Sequence, residues 1–258
     1  MLIILTALFL MVAVGPLLGL FVYAPPHTLL AALAVEEARE ALWLTLRGSL
    51  LAVGLALVFG LPTAVCLARV NFRGKMLINA LVELPIALPP LVMGVALILI
   101  WGRKGLLGHY LAEAGYPLSY TWVAVVIAQF VVAAPYFVRI AKTAIEQVPV
   151  SLEEASMTLG RSLPATFGLV TLPLAGRGIL TAVVTCWARA MSEFGATVIF
   201  AGAFPGRTQT APTAIFTLMQ HEIEAAVALA LVMLVFSGLA FVLAQVGVGR
   251  LGLAGGVA

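Results

Sequence analysis

Apolar residues run along this chain in long blocks, and polar residues gather in the gaps between them. A helix that crosses a bilayer needs about 20 consecutive, mostly apolar residues. Six blocks reach that length: Leu2–Tyr23, Leu42–Ala68, Met76–Trp101, Thr121–Ile145, Gly178–Ala201 and Ala225–Val248. The pattern predicts an all-α membrane protein of six transmembrane helices. The first block has no Lys or Arg in front of it and is long for the apolar core of a signal peptide, so it reads as a retained span. No soluble domain, low-complexity tract or internal repeat interrupts the series. Residues 1–258 are expected to form a single transmembrane domain.

Composition agrees with the pattern. The chain is 63% hydrophobic and only 10% charged, too little charge to cover the surface of a soluble domain. A net charge of +3 carries no nucleic-acid signal in such a chain and reports topology instead. Arg69, Arg73, Lys75, Arg139, Lys142, Arg161, Arg177 and Arg250 fall on one side of the predicted spans. Fewer basic residues (Arg39, Arg47, Arg103, Lys104 and Arg207) fall on the other, together with Glu36, Glu37, Glu40, Glu113, Glu222 and Glu224. The basic side is the cytoplasmic one by this bias, which puts both termini in the cytoplasm. Cys66 and Cys186 both sit in apolar runs and have neither disulfide nor metal spacing.

The longest cytoplasmic loop lies between the fourth and fifth spans and contains SLEEASMTLG, Ser151–Gly160. Pro149 disfavours helix at Val148. Ser151 with Glu154 three residues later reads as a capping box, and two glutamates in the first turn suit the helix dipole. Gly160 suits a left-handed stop. Ser162 and Pro164 signal a second short helical start, and Leu172-Pro173 the entry to the next span. A short helix in water is unstable alone, so this one is expected to pack against a partner protein.

Glu154-Ala155-Ser156, then Gly160, then Val170-Thr171-Leu172-Pro173 resemble the EAA…G…LP loop of permease subunits of ABC importers, with Ser156 where the family usually has Ala. The resemblance implies that the loop at about 146–175 holds a coupling helix that docks on an ATPase subunit, with Ser151, Glu153, Glu154, Ala155, Ser156 and Gly160 as coupling residues. Arg189-Ala190-Met191-Ser192-Glu193-Phe194-Gly195-Ala196-Thr197 and Phe200-Ala201-Gly202 resemble the fifth span of oxyanion importers, nearest to molybdate/tungstate permeases, with sulfate permeases next. Leu88-Pro89-Pro90-Leu91-Val92-Met93-Gly94, Trp101-Gly102-Arg103-Lys104-Gly105 and the loop Pro205–Pro212 fit the same group. What the resemblance implies is an inner-membrane permease that works as a homodimer with two ATPase subunits inside and an extracytoplasmic oxyanion-binding protein outside. It would carry molybdate, with tungstate as a near-isostere and sulfate or thiosulfate as the alternative. No cofactor is expected on this chain, because ATP would sit on the partner and no GxxxxGK[ST] phosphate loop occurs here.

Charged residues inside the spans are the remaining chemistry. Arg189 and Glu193 are four apart and share a helix face; the pair reads either as a neutralised packing element or as part of a pathway. Glu83 is expected to find a basic partner near the cytoplasmic face. Pro85, Pro89 and Pro90 should break the third span, either as a packing kink or as the start of a half-helix whose Leu91, Val92 and Met93 amides face an anion path. Pro89, Pro90, Leu91, Gly94, Arg189, Ser192, Glu193, Phe194, Gly195 and Thr197 are therefore the pathway candidates. His27, His109 and His221 fall in separate external loops without metal-ligand spacing, and nothing resembles a catalytic constellation. An ion-coupled secondary transporter would call for paired midplane acids and an internal repeat, and no such repeat is visible.

Overall fold

The computed structural model describes residues 1–23 and 35–254; His27 lies outside the described residues. The described elements are helices: α1 (Leu2–Tyr23), α2 (Glu36–Arg69), α3 (Lys75–Ala87), α4 (Pro90–Trp101), α5 (Gly108–Glu113), α6 (Trp122–Glu146), α7 (Val150–Thr158), α8 (Leu163–Met191), α9 (Gly195–Phe200), α10 (Ala211–Leu218) and α11 (Ile223–Ala254). Among the described residues α1, α2, α6 and α8 are long and apolar enough to cross a membrane, and the bent pair α3–α4 makes a fifth crossing if counted as one. The sixth expected span falls within α11, whose described apolar stretch is Ile223–Leu239.

Two expected spans are not straight helices. The third turns through 113° between α3 and α4. Leu88 and Pro89 take extended ψ values of 141° and 134°, because a residue before proline is pushed out of the helical region; Leu88 and Pro89 both have that position. The fifth is displaced. Instead of Gly178–Ala201, the helix begins at Leu163, stops at Met191 and resumes only as the short α9. Its early start depends on a π turn at Phe167–Thr171, where the Leu172 amide donates to Phe167 O, five residues back. That wider turn accommodates Pro173, whose ring would clash with an ordinary i−4 carbonyl. A matching π turn at Ala56–Gly60 precedes Pro62 in α2.

The bundle is built around α6. Ala133, Ala141 and Ala144 of α6 pack with Ala52, Ala56 and Ala64 of α2 and Ala175, Ala182 and Ala190 of α8 in one buried cluster. Lipid is as apolar as a leucine side chain, so small residues that let backbones approach provide the packing that holds such helices together. A second cluster joins Leu97 of α4 and Ala196 and Phe200 of α9 to Ala124, Val125 and Ala128 of α6. It anchors both half-helices to the central helix. α1 is exposed along its length and touches α11.

Candidate functional site

The break in the third span leaves α4 starting at Pro90. Pro89 O accepts from the amides of Val92 (2.9 Å) and Met93 (3.3 Å). Three free inward amides were expected here; two are consumed by this cap. The Leu91 amide remains at the positive end of a 12-residue helix.

The break after α8 is organised by Glu193, which is fully buried. Its Oε1 accepts from the Ala196 amide at 2.8 Å and so caps α9. Its Oε2 lies 2.8 Å from an Arg189 terminal nitrogen, close enough for an ion pair but without hydrogen-bond alignment. Arg189 keeps 22% of its side chain exposed. Ser192 Oγ donates to Arg189 O at 3.2 Å, turning the chain where the helix stops.

These two breaks meet. A Cβ on Gly195 would lie 3.0 Å from both Leu91 N and Pro90 Cβ, so a side chain there would press on the start of α4 and glycine lets α9 begin close against it. A cavity of about 270 Å³ opens there, lined by Pro89, Pro90, Leu91, Arg189, Ser192, Glu193, Phe194 and Gly195. Residues a hundred positions apart thus line one cavity, among them Arg189, already paired with Glu193, and Leu91 at the start of α4. Two pathway candidates do not line it. Gly94 is buried against α9, where a Cβ would stand 2.8 Å from Ile199 Cβ. Thr197 is buried, its hydroxyl without a hydrogen-bond partner. Phe194 lies against Phe216 of α10, ring centroids 5.1 Å apart.

Glu83 meets its basic partner indirectly. Asn79 Nδ2 donates to Glu83 Oε1 at 3.1 Å, and Lys142 Nζ donates to Asn79 Oδ1 at 2.7 Å. Glu83 and the exposed Arg139 line a second cavity of about 330 Å³ along α3.

The loop helix α7 starts two residues earlier than expected. Its N-cap is Pro149, with no side-chain cap hydrogen bond, and the Leu152 amide donates to Pro149 O at 3.1 Å. The capping box of Ser151 and Glu154 does not form, because both residues already lie within the helix. Pro149 has the extended backbone an N-cap needs and no N–H of its own to satisfy. Gly160 is left-handed, φ 84°. Ser151, Glu154 and Ala155 are exposed, as are Val150, Leu152, Met157 and Leu159. Glu153 and Ser156 turn the other way. Ser156 Oγ is 3.0 Å from Thr166 Oγ1 in a buried contact. Glu153 meets Arg69 (Nε to Oε2 2.9 Å) and accepts from Thr171 Oγ1 at 2.6 Å. Arg69 also donates to Ile145 O (2.8 Å) and Val148 O (2.9 Å), the carbonyls at the end of α6. Sequence reasoning singled out Glu153 and Ser156 but not their partners, Arg69 and Thr171 for the first and Thr166 for the second. A basic residue closing an apolar block is the signal Arg69 carried, and it was read only as topology.

The described residues form an all-helical bundle with a broken span and a short helix, α7, between two long ones. Residues 56–251 match the family described as the inner membrane component of binding-protein-dependent transport systems, and the chain belongs to it: it is an ABC importer permease. It is 33% identical over 237 residues to the probable transport system permease protein NifC of Clostridium pasteurianum, covering 90% of this chain and 82% of that one. It is 40% identical over 182 residues to the molybdenum transport system permease protein ModB of Escherichia coli K12, covering 70% and 80%. A sulfate transport system permease protein CysW of Synechococcus elongatus is 36% identical over 174 residues, covering 67% of this chain and 61% of that one. The fold matches a subunit of a bacterial ABC transporter that imports the acidic polysaccharide alginate, with a TM-score of 0.73 over 96% of this chain and 94% of that one at 15% identity.

Proposed function

We propose that this permease carries molybdate, and tungstate beside it, into the cytoplasm, and that the chamber between α4 and the α8–α9 break lies on the path. The observation that carries this reading is that Arg189 and Leu91, in the first turn of α4, line one cavity of about 270 Å³. A guanidinium and a helix N-terminus both donate hydrogen bonds to the oxygens of a tetrahedral dianion. The name of the relative ModB, a molybdenum transport system permease protein, supports molybdate over other cargo. The relative CysW supports sulfate as the second reading.

In this proposal two copies of the chain form the pathway in the inner membrane, with both termini inside. Each copy presents α7 to an ATPase subunit, which holds the ATP, and a binding protein delivers the oxyanion from outside. Nucleotide-dependent contacts on α7 shift the spans between inward- and outward-facing states. The chain itself binds no cofactor and performs no catalysis. The experiment is uptake of labelled molybdate, with sulfate as competitor, into proteoliposomes holding permease, ATPase and binding protein. Vanadate-sensitive molybdate uptake that excess sulfate leaves intact is expected. Sulfate uptake with no molybdate uptake would favour the second reading, and uptake driven by an ion gradient without ATP would overturn the importer mechanism.

A further inference from the structure

We propose that Arg69, Glu153 and Thr171 form the joint through which movement of α7 reaches the membrane spans, and that the two adjacent glutamates divide the work. Glu154 faces outward, and Glu153 faces inward to hold the joint. The inference rests on reading α7 as the ATPase-docking helix, and adds which residues pass its motion on.

Arg69 is the last residue of α2. Its side chain touches three places at once: the carboxylate of Glu153 on α7, and the backbone carbonyls of Ile145 and Val148 where α6 ends. A guanidinium is suited to this, since its planar fork can serve a carboxylate and carbonyls together, whereas a lysine ammonium cannot hold the same geometry. Glu153 in turn accepts from Thr171, the final residue of the π turn in α8. The Glu153 carboxylate therefore connects α7 to α2 and α8, and through Arg69 to the end of α6. Both charged side chains are largely sheltered, 19% and 12% exposed, so these charge-assisted contacts are short and little screened. The Ser156–Thr166 contact adds a second tie between α7 and α8.

The direction of α8 gives the joint its consequence. It runs 29 residues from Leu163 to Met191, about 44 Å at the helical rise. At its far end lie Arg189 and the cavity. A displacement of α7 that carries Thr171 with it tilts a continuous rod whose other end lines the chamber. Without the joint, α7 is tied by Ser156 and by its chain connections, so a docked ATPase moves α7 more than it moves α8. Among the described residues the Glu154 side chain makes no hydrogen bond or ion pair, and it stays exposed. Of the two neighbouring acids, it is the one free to meet another protein.

The test uses the complete complex in proteoliposomes, with ATP hydrolysis and molybdate uptake measured together. Arg69→Ala is expected to reach the membrane and to retain the ATPase subunit at wild-type amounts. Its uptake per ATP hydrolysed should fall about five- to a hundredfold, the usual range of a coupling term. Arg69→Lys should recover part of that loss, and Thr171→Val should show a smaller loss than Arg69→Ala. A wild-type transport ratio in Arg69→Ala would overturn the proposal. So would a deficit that disappears after normalising to assembled complex, since the contacts would then only hold the fold. The underlying docking reading fails separately: it is wrong if Glu154→Lys combined with Leu159→Asp leaves ATPase association undiminished.

Discussion

Two arginine–glutamate pairs flank the long α8, one meeting it at Thr171 and one at its last turn, and they are built differently. At Thr171, Arg69 and Glu153, 84 residues apart on separate helices, share their charges with the threonine hydroxyl and two backbone carbonyls. At the finish, Arg189 and Glu193 are i,i+4 neighbours. There the carboxylate is fully buried and divided between one guanidinium and one amide. The first pair joins separate helices, so it transmits force between them. The second joins a helix to its own broken continuation, so it shapes a local chamber. Burial ranks them. A sealed carboxylate depends on its partner far more than one that keeps several donors and some solvent.

The largest effect should come from the sealed pair. Arg189→Ala leaves Glu193 as an uncompensated buried charge and is expected to cost about 3–5 kcal/mol. Arg189→Ala with Glu193→Ala should recover much of that stability in thermal unfolding of the detergent-solubilised protein. If the double variant regains stability but not uptake, Arg189 acts on the anion. If it regains both, the pair is a packing element and the chamber is not the path.

The joint at the other end should be milder in stability. Arg69→Ala removes one of two donors to Glu153, which keeps Thr171 and partial solvent, and about 2 kcal/mol is expected. A melting shift as large as that of Arg189→Ala would erase the distinction between the two pairs.

Gly160→Val tests the exit of α7. A side chain in the left-handed region costs about 1–2 kcal/mol locally. Membrane levels should be unchanged, and the ATPase subunit should co-purify more weakly. Normal co-purification would show that the direction of the turn does not matter for docking.

The smallest effect is expected from Ser156→Ala. It restores the residue usual in the resembled loop and leaves Thr166 Oγ1 without its 3.0 Å partner, for about 1 kcal/mol. Uptake should stay close to wild type, because Glu153 still ties α7 to α8. A loss equal to that of Arg69→Ala would move the joint from Glu153 to Ser156.

Several of these features were legible in order of residues alone. Span length and apolar content define the membrane helices because a bilayer sets the same requirement on any chain. The break at Pro89–Pro90 was legible because proline removes a donor and restricts its predecessor whatever surrounds it. Gly160 and the Arg189–Glu193 pairing were legible for the same kind of reason: both are set within one turn of backbone. The start of α7 was misread because Ser151 and Glu154 carry the spacing of a capping box, yet Pro149 provides an N-cap conformation two residues sooner.

The tertiary structure decided what distance along the chain conceals. Sequence did not place Leu91 against Gly195, nor Arg69 against Glu153, because helices in lipid choose partners by backbone closeness and by where small residues fall on each face. It also misjudged the fifth span, where a π turn let a helix run through Pro173 and where Glu193, by capping α9, ended the continuous helix at Met191. Local stereochemistry determines where a helix can start, bend or stop. Which broken ends face each other, and therefore where a chamber opens, depends on packing between segments that the order of residues does not bring together.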